Sequence, residues 1–62
     1  MMNRLYKVSY LEYNSSKENT IFISANNVPE CEYKMNNSGL IAKESVDSGH
    51  INSIEQVGYV IV

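Results

Sequence analysis

Residues 20–36 read TIFISANNVPECEYKMN, and this stretch decides the fold. Its first six residues are rich in β-branched and aromatic side chains and read as a strand over 20–25. Ile21, Ile23 and Ala25 share one face of that strand, and Phe22 and Ser24 share the other. Both faces carry apolar groups, which predicts one face on a helix and the other free to meet a partner. At Asn26-Asn27 the period changes. Asn27 is a good N-cap, Glu30 three positions on completes a capping-box pattern, and Pro29 falls in the first turn, where a missing N–H matters little. Pro29 also disfavours helical angles at Val28, so the start can shift by a residue. Glu30 and Lys34 are an i,i+4 pair in the favourable order, and Val28, Cys31 and Met35 form one apolar stripe. The spacing predicts a helix over 28–36, ended by Asn36-Asn37-Ser38-Gly39, with Gly39 or Asn37 able to take the left-handed conformation.

Working towards the start of the chain, residues 4–13, RLYKVSYLEY, read as another strand. Tyr6, Val8 and Tyr10 alternate with Lys7 and Ser9, while Leu11 and Tyr13 fall on the Lys7 face. The polar run Asn14–Asn19 predicts a hairpin loop. Towards the end of the chain, residues 40–46, LIAKESV, read as a short strand or a further helical turn, followed by a turn at Asp47-Ser48-Gly49. Residues 51–62, INSIEQVGYVIV, read as the last strand, with Gly58 marking a bulge or a close backbone approach. The continuous apolar run Tyr59–Val62 predicts a central strand or a subunit interface. These elements give an α+β class: one domain over 1–62, with a small antiparallel sheet of three or four strands, ββαβ or ββαββ, and one short helix on one face.

Sixty-two residues of 44% hydrophobic composition make a globular domain with room for only one core. A chain this short buries only about 60% of its unfolded surface, and small domains compensate with disulfides, metals or self-association. A single Cys excludes an intrachain disulfide and a cysteine cage, and one His leaves metal ligands scarce, so a homo-oligomer is expected. A formal charge of −2 argues against a nucleic-acid binder driven by bulk charge. No apolar stretch approaches the roughly 18 residues of a membrane span, and the start MMNRLYK lacks a secretory h-region. The cytoplasm is the expected location, and the triplets Asn14-Ser15-Ser16 and Asn36-Asn37-Ser38 then carry no glycan.

No catalytic constellation assembles from these residues, so no enzyme, no cofactor and no metal are expected. His50 beside Gly49 reads as a solvated turn residue, and Ser48, His50 and Asp47 are adjacent positions that need not converge. Cys31 lies on the apolar stripe between Glu30 and Glu32, whose charges oppose a thiolate, so it reads as a small core residue. The carboxylates Glu12, Glu18, Glu30, Glu32, Glu44, Asp47 and Glu55 match no metal loop or glycosidase pair. Gly39, Gly49 and Gly58 form no phosphate cradle, and Arg4, Lys7, Lys17, Lys34 and Lys43 are dispersed. Tyr6, Tyr10, Tyr13 and Phe22 concentrate in the first hairpin, where they serve a core or a recognition face. Leu11, Tyr13 and Phe22 are the candidate partner-binding residues.

The succession YKVSY, TIFISANNVPECEYKM and INSIEQVGYVIV resembles the short ββαβ open reading frames of phages and prophages of low-GC Gram-positive bacteria. Asn27 matches the helix cap, Cys31 the small helix residue, and Ser53-Ile54-Glu55-Gln56-Val57-Gly58 the final-strand glycine motif, whereas 36–49 departs from the pattern. Some small phage proteins inhibit host defence, so the resemblance implies a host protein as the target. The alternative it implies is an oligomeric sponge for a small anionic ligand such as a signalling nucleotide. No residue matches a functional motif of such inhibitors, and no site is carried over.

Overall fold

The computed structural model describes residues 2–12, 17–41 and 50–62. In chain order these form β1 (Met2–Leu11), β2 (Glu18–Ala25), α1 (Val28–Asn36) and β3 (His50–Ile61). The three strands make one antiparallel sheet in the order β2-β1-β3. This is a small α+β arrangement of one helix and an open three-stranded sheet. The expected strand over 40–46 and the Asp47–Gly49 turn fall mainly on 42–49, outside the described residues; Leu40 and Ile41 themselves lie in bends.

Strand β1 is central, paired on both sides, and the middle of one of its faces is enclosed. Tyr6, Val8 and Tyr10 are buried, and with Ala25 of β2, Cys31 and Met35 of α1, and Ile41 they form the core. Ile21 and Ile23 pack against that core from β2, and Ile51 and Ile54 from β3. The period-2 pattern thus places alternate residues of β1 and β2 under the helix. Val28 departs from the expected stripe. It is 40% exposed, as the first residue of the helix.

The helix starts and stops where local chemistry requires. Asn27 has an extended backbone, and its side-chain Oδ1 accepts from the Glu30 amide at 2.9 Å. The return half of the capping box is replaced: the Glu30 carboxylate accepts from Asn26 Nδ2 at 3.0 Å and pairs with Lys34 at 3.4 Å. At the other end the Ser38 hydroxyl donates to the Met35 carbonyl at 2.6 Å, and Gly39, at φ +84°, takes the left-handed turn that a side chain would resist.

Of the two expectations for Tyr59–Val62, the central strand needs correction: among the described residues β3 lies at the edge of the sheet, and its apolar end is exposed, Tyr59 62%, Ile61 84% and Val62 65%. The physical reason is that Tyr6, Val8 and Tyr10 of β1 fill the core, while β3 gives it only the partly buried Ile51 and Ile54. Register with β1 also shifts twice, between Leu5/Tyr6 and Ser9/Tyr10, so Val57 and Asn52 are extra residues on β3. Gly58 adjoins the first shift, and a Cβ there would meet nothing within 4 Å, so close backbone approach is not its role. Two limits move as well. Strand β1 begins at Met2 because Met2 pairs with Ile61, and β2 begins at Glu18 because Glu18 pairs with Leu11.

The domain measures 39 × 18 × 14 Å. Twelve strand residues at about 3.3 Å each span the long dimension, so the sheet sets the length. A radius of gyration of 12.0 Å exceeds the roughly 10–11 Å of a compact chain this long.

Core and surface should separate cleanly in denaturation. Met35→Ala removes a fully buried side chain and should destabilise by about 2–5 kcal/mol, whereas Phe22→Ala should destabilise by about 1 kcal/mol or less. Urea midpoints for the two variants check this, and equal losses would place Phe22 in the core.

Candidate binding surface

The sheet face opposite the helix is built by the alternate residues of each strand. On β1 these are Asn3, Leu5, Lys7, Ser9 and Leu11; β2 adds Ser24, Phe22, Thr20 and Glu18 beside them, and β3 adds Val60, Gly58, Glu55, Ser53 and His50. No described residue of α1 covers this face. Leu5, Leu11 and Val60 are half-buried by their strand neighbours, and Phe22 stands 58% exposed. Lys7 pairs with Phe22 on one side and Glu55 on the other, so an opposite-charge cross-strand pair lies beside the aromatic ring. Polar clips tie the ends of the face: Asn3 Nδ2 donates to Ser24 Oγ at 3.3 Å, and Asn52 Nδ2 donates to Glu18 Oε2 at 2.7 Å.

Of the three expected contact residues, Phe22 and Leu11 are on this one face, although Leu11 lies four residues along β1 from the Lys7 that pairs with Phe22. Tyr13 lies outside the described residues. Tyr6 and Tyr10, the other hairpin aromatics, belong to the core. Sequence reasoning missed Leu5 and Val60, half-buried residues of the same face. The signal for Leu5 was available, since it alternates with Tyr6 as Lys7 does. The signal for Val60 was hidden, because the bulges in β3 break its period.

A second apolar surface sits where the sheet runs past the helix. Met2 pairs with Ile61 and Arg4 with Tyr59, on the helix side of the sheet but beyond the core. Met2 is 59% exposed there. Among the described residues Met2 and Asn3 have backbone ladder partners in β3 alone, so this end is a two-stranded ribbon.

Among the described residues, chemistry-bearing side chains do not converge. His50 opens β3 opposite Leu11, and Ser48 and Asp47 lie outside the described residues. Among the described residues no group of three His, Cys, Asp or Glu could hold a metal ion. Arg4 and Lys7 point to opposite faces of β1, and Lys34 is engaged by Glu30 and by the Ser24 carbonyl at 2.6 Å. The Cys31 thiol is buried, and its pKa is pushed up from the ordinary 9.0, first by burial and then by the Glu32 charge, against a smaller opposing pull from Lys34. No described helix is long and apolar enough to cross a membrane. Comparison of the chain with protein-family models, with curated proteins and with solved structures returns no match.

The state of Cys31 gives a direct test. A disulfide reagent should label it only as fast as the domain opens, and labelling should accelerate in denaturant. Because the folded thiol titrates above the unfolded one, its contribution to stability is complete below the unfolded pKa. It falls away as pH rises from there through the folded value. Unfolding midpoints should therefore decline above about pH 9 in the native chain and decline less in Cys31→Ala. Rapid labelling of the native protein at neutral pH would contradict the burial.

Proposed function

We propose that this chain is a small non-catalytic binding protein that acts by direct contact with another protein, through the sheet face opposite the helix. The observation that carries this reading is Phe22, an aromatic ring more than half exposed beside a cross-strand charge pair, with Leu5 and Leu11 along the neighbouring strand. Apolar anchors set among complementary charges are what protein interfaces use, since the ring supplies area and the charges fix orientation. A polyanion would be served by cations on a common face, and Arg4 and Lys7 lie on opposite ones. The same separation weighs against the sponge for an anionic ligand.

The target class rests on the resemblance to small phage proteins: a host defence protein, bound and inhibited in the host cytoplasm. A fourth strand from 40–46 would extend the sheet without altering the Phe22 face.

Tagged native chain and Phe22→Ser should be expressed in a host carrying active defence systems, followed by capture and an infection assay. The native chain should retain one host protein in stoichiometric amount and relieve the defence. Phe22→Ser, with an unchanged circular dichroism spectrum, should lose both. Equal capture by the two chains would remove the face from the proposal, and a nucleotide retained in native mass spectrometry would favour the sponge.

A further inference from the structure

We propose that a second copy of this chain adds to the outer edge of β3, antiparallel about a two-fold axis near Val60. Two three-stranded sheets then become one of six strands, in the order β2-β1-β3-β3-β1-β2.

The two edges of the sheet differ. Strand β2 is engaged by the helix, whose Lys34 Nζ donates to the Ser24 carbonyl, and it opens with the charged pair Lys17-Glu18. Strand β3 is twelve residues long, and from Gln56 to Val62 the chain carries no Asp, Glu, Lys, Arg or His and no Pro. Edge strands avoid unwanted pairing through charge, Pro, bulges or a cover. Among the described residues the single such device on this half of β3 is the bulge at Val57.

Charge and register then select the occupant. Each copy carries a net charge of −2, so two copies meet best along an uncharged segment. Pairing centred on Val60 uses residues 58–62 and leaves both the bulge and Glu55 outside. Centring on Glu55 would set two carboxylates opposite each other, which destabilises a sheet. In the Val60 register, Val60 meets its own copy, Gly58 meets the partner's Val62, and Tyr59 meets the partner's Ile61. The last is an aromatic–β-branched pair of the kind that stabilises antiparallel sheets.

The exposed apolar groups fall where this contact would cover them. Tyr59 and Ile61 share the helix-side face with Met2, and Val57 and Val62 flank them at 46% and 65% exposure. Of these, Tyr59, Ile61 and Val62 lie in the paired segment; at on the order of 100 Å² each they give roughly 600 Å² across the two copies, the size of a weak contact that forms at high concentration. A two-fold contact is also self-complementary and closes at two, because each β3 edge is used once. The contact shares only Gly58 and Val60 with the face that carries Phe22, and Phe22 itself lies two strands away on β2, so either proposal can fail alone.

Sedimentation equilibrium of the full chain over about 1 μM to 1 mM tests the association. The native chain should approach twice 7.0 kDa. Ile61→Lys, at the most exposed of these residues, should keep its circular dichroism spectrum and weaken dimerisation at least tenfold. Val60→Cys sets two thiols opposite each other at antiparallel spacing, about 4.5–5.5 Å between Cα atoms, within disulfide reach. Mild oxidation should therefore cross-link it into a dimer, while Phe22→Cys and the native chain stay uncross-linked. A native chain that remains monomeric at all concentrations would overturn the proposal and leave the edge to a strand of another protein. So would a dimer unaffected by Ile61→Lys with no cross-link at Val60→Cys, or growth beyond two copies.

Discussion

The clustering of Tyr6, Val8 and Tyr10 with Cys31 and Met35 takes one face of β1 and one stripe of α1 out of water together. Everything else is arranged around that contact. A strand with one face enclosed needs neighbours on both sides to satisfy its backbone, which puts β2 and β3 on its flanks. A helix of nine residues spans only about 14 Å, so it cannot roof a sheet some 39 Å long. The uncovered remainder is the source of both candidate surfaces: the whole opposite face, and the ribbon in which Met2 and Asn3 pair with β3 alone.

How much of this is legible in the sequence depends on the segment. The helix over 28–36 is readable to the residue, because its limits are set by local chemistry at Asn27, Pro29 and Gly39. The faces of β1 and β2 are readable because strict alternation survives from Tyr6 to Tyr10 and from Ile21 to Ala25. The place of β3 was not. Its apolar residues Ile51, Ile54, Tyr59 and Ile61 fit no single period, and only pairing with β1, with one extra residue at Asn52 and another at Val57, brings them to one side. An unbroken run such as Tyr59–Val62 reads as buried when burial is judged within one chain. Of the candidate site, Phe22 and Leu5 were legible from alternation alone, while Val60 depended on neighbours across the ladder.

The two sheet edges also divide the labour of staying folded. Lys34 reaches from the helix to the Ser24 carbonyl, and Asn3 and Asn52 bind Ser24 and Glu18, so polar side chains from three elements converge on β2. None of these contacts is buried deeply enough to dominate stability. Their effect is to give β2 one position relative to β1 and α1, and hence to fix where Phe22 stands.

The bulges also bear on how the chain can change in length. In a regular strand, loss of one residue turns every later side chain to the wrong side of the sheet. At Asn52 and Val57 the opposite holds, because each is surplus to the ladder and its loss would restore plain pairing with the flanking faces unchanged. Strand β3 therefore contains two points of slack. Relatives of this chain that are one or two residues shorter before Tyr59 could keep the same core and the same exposed edge.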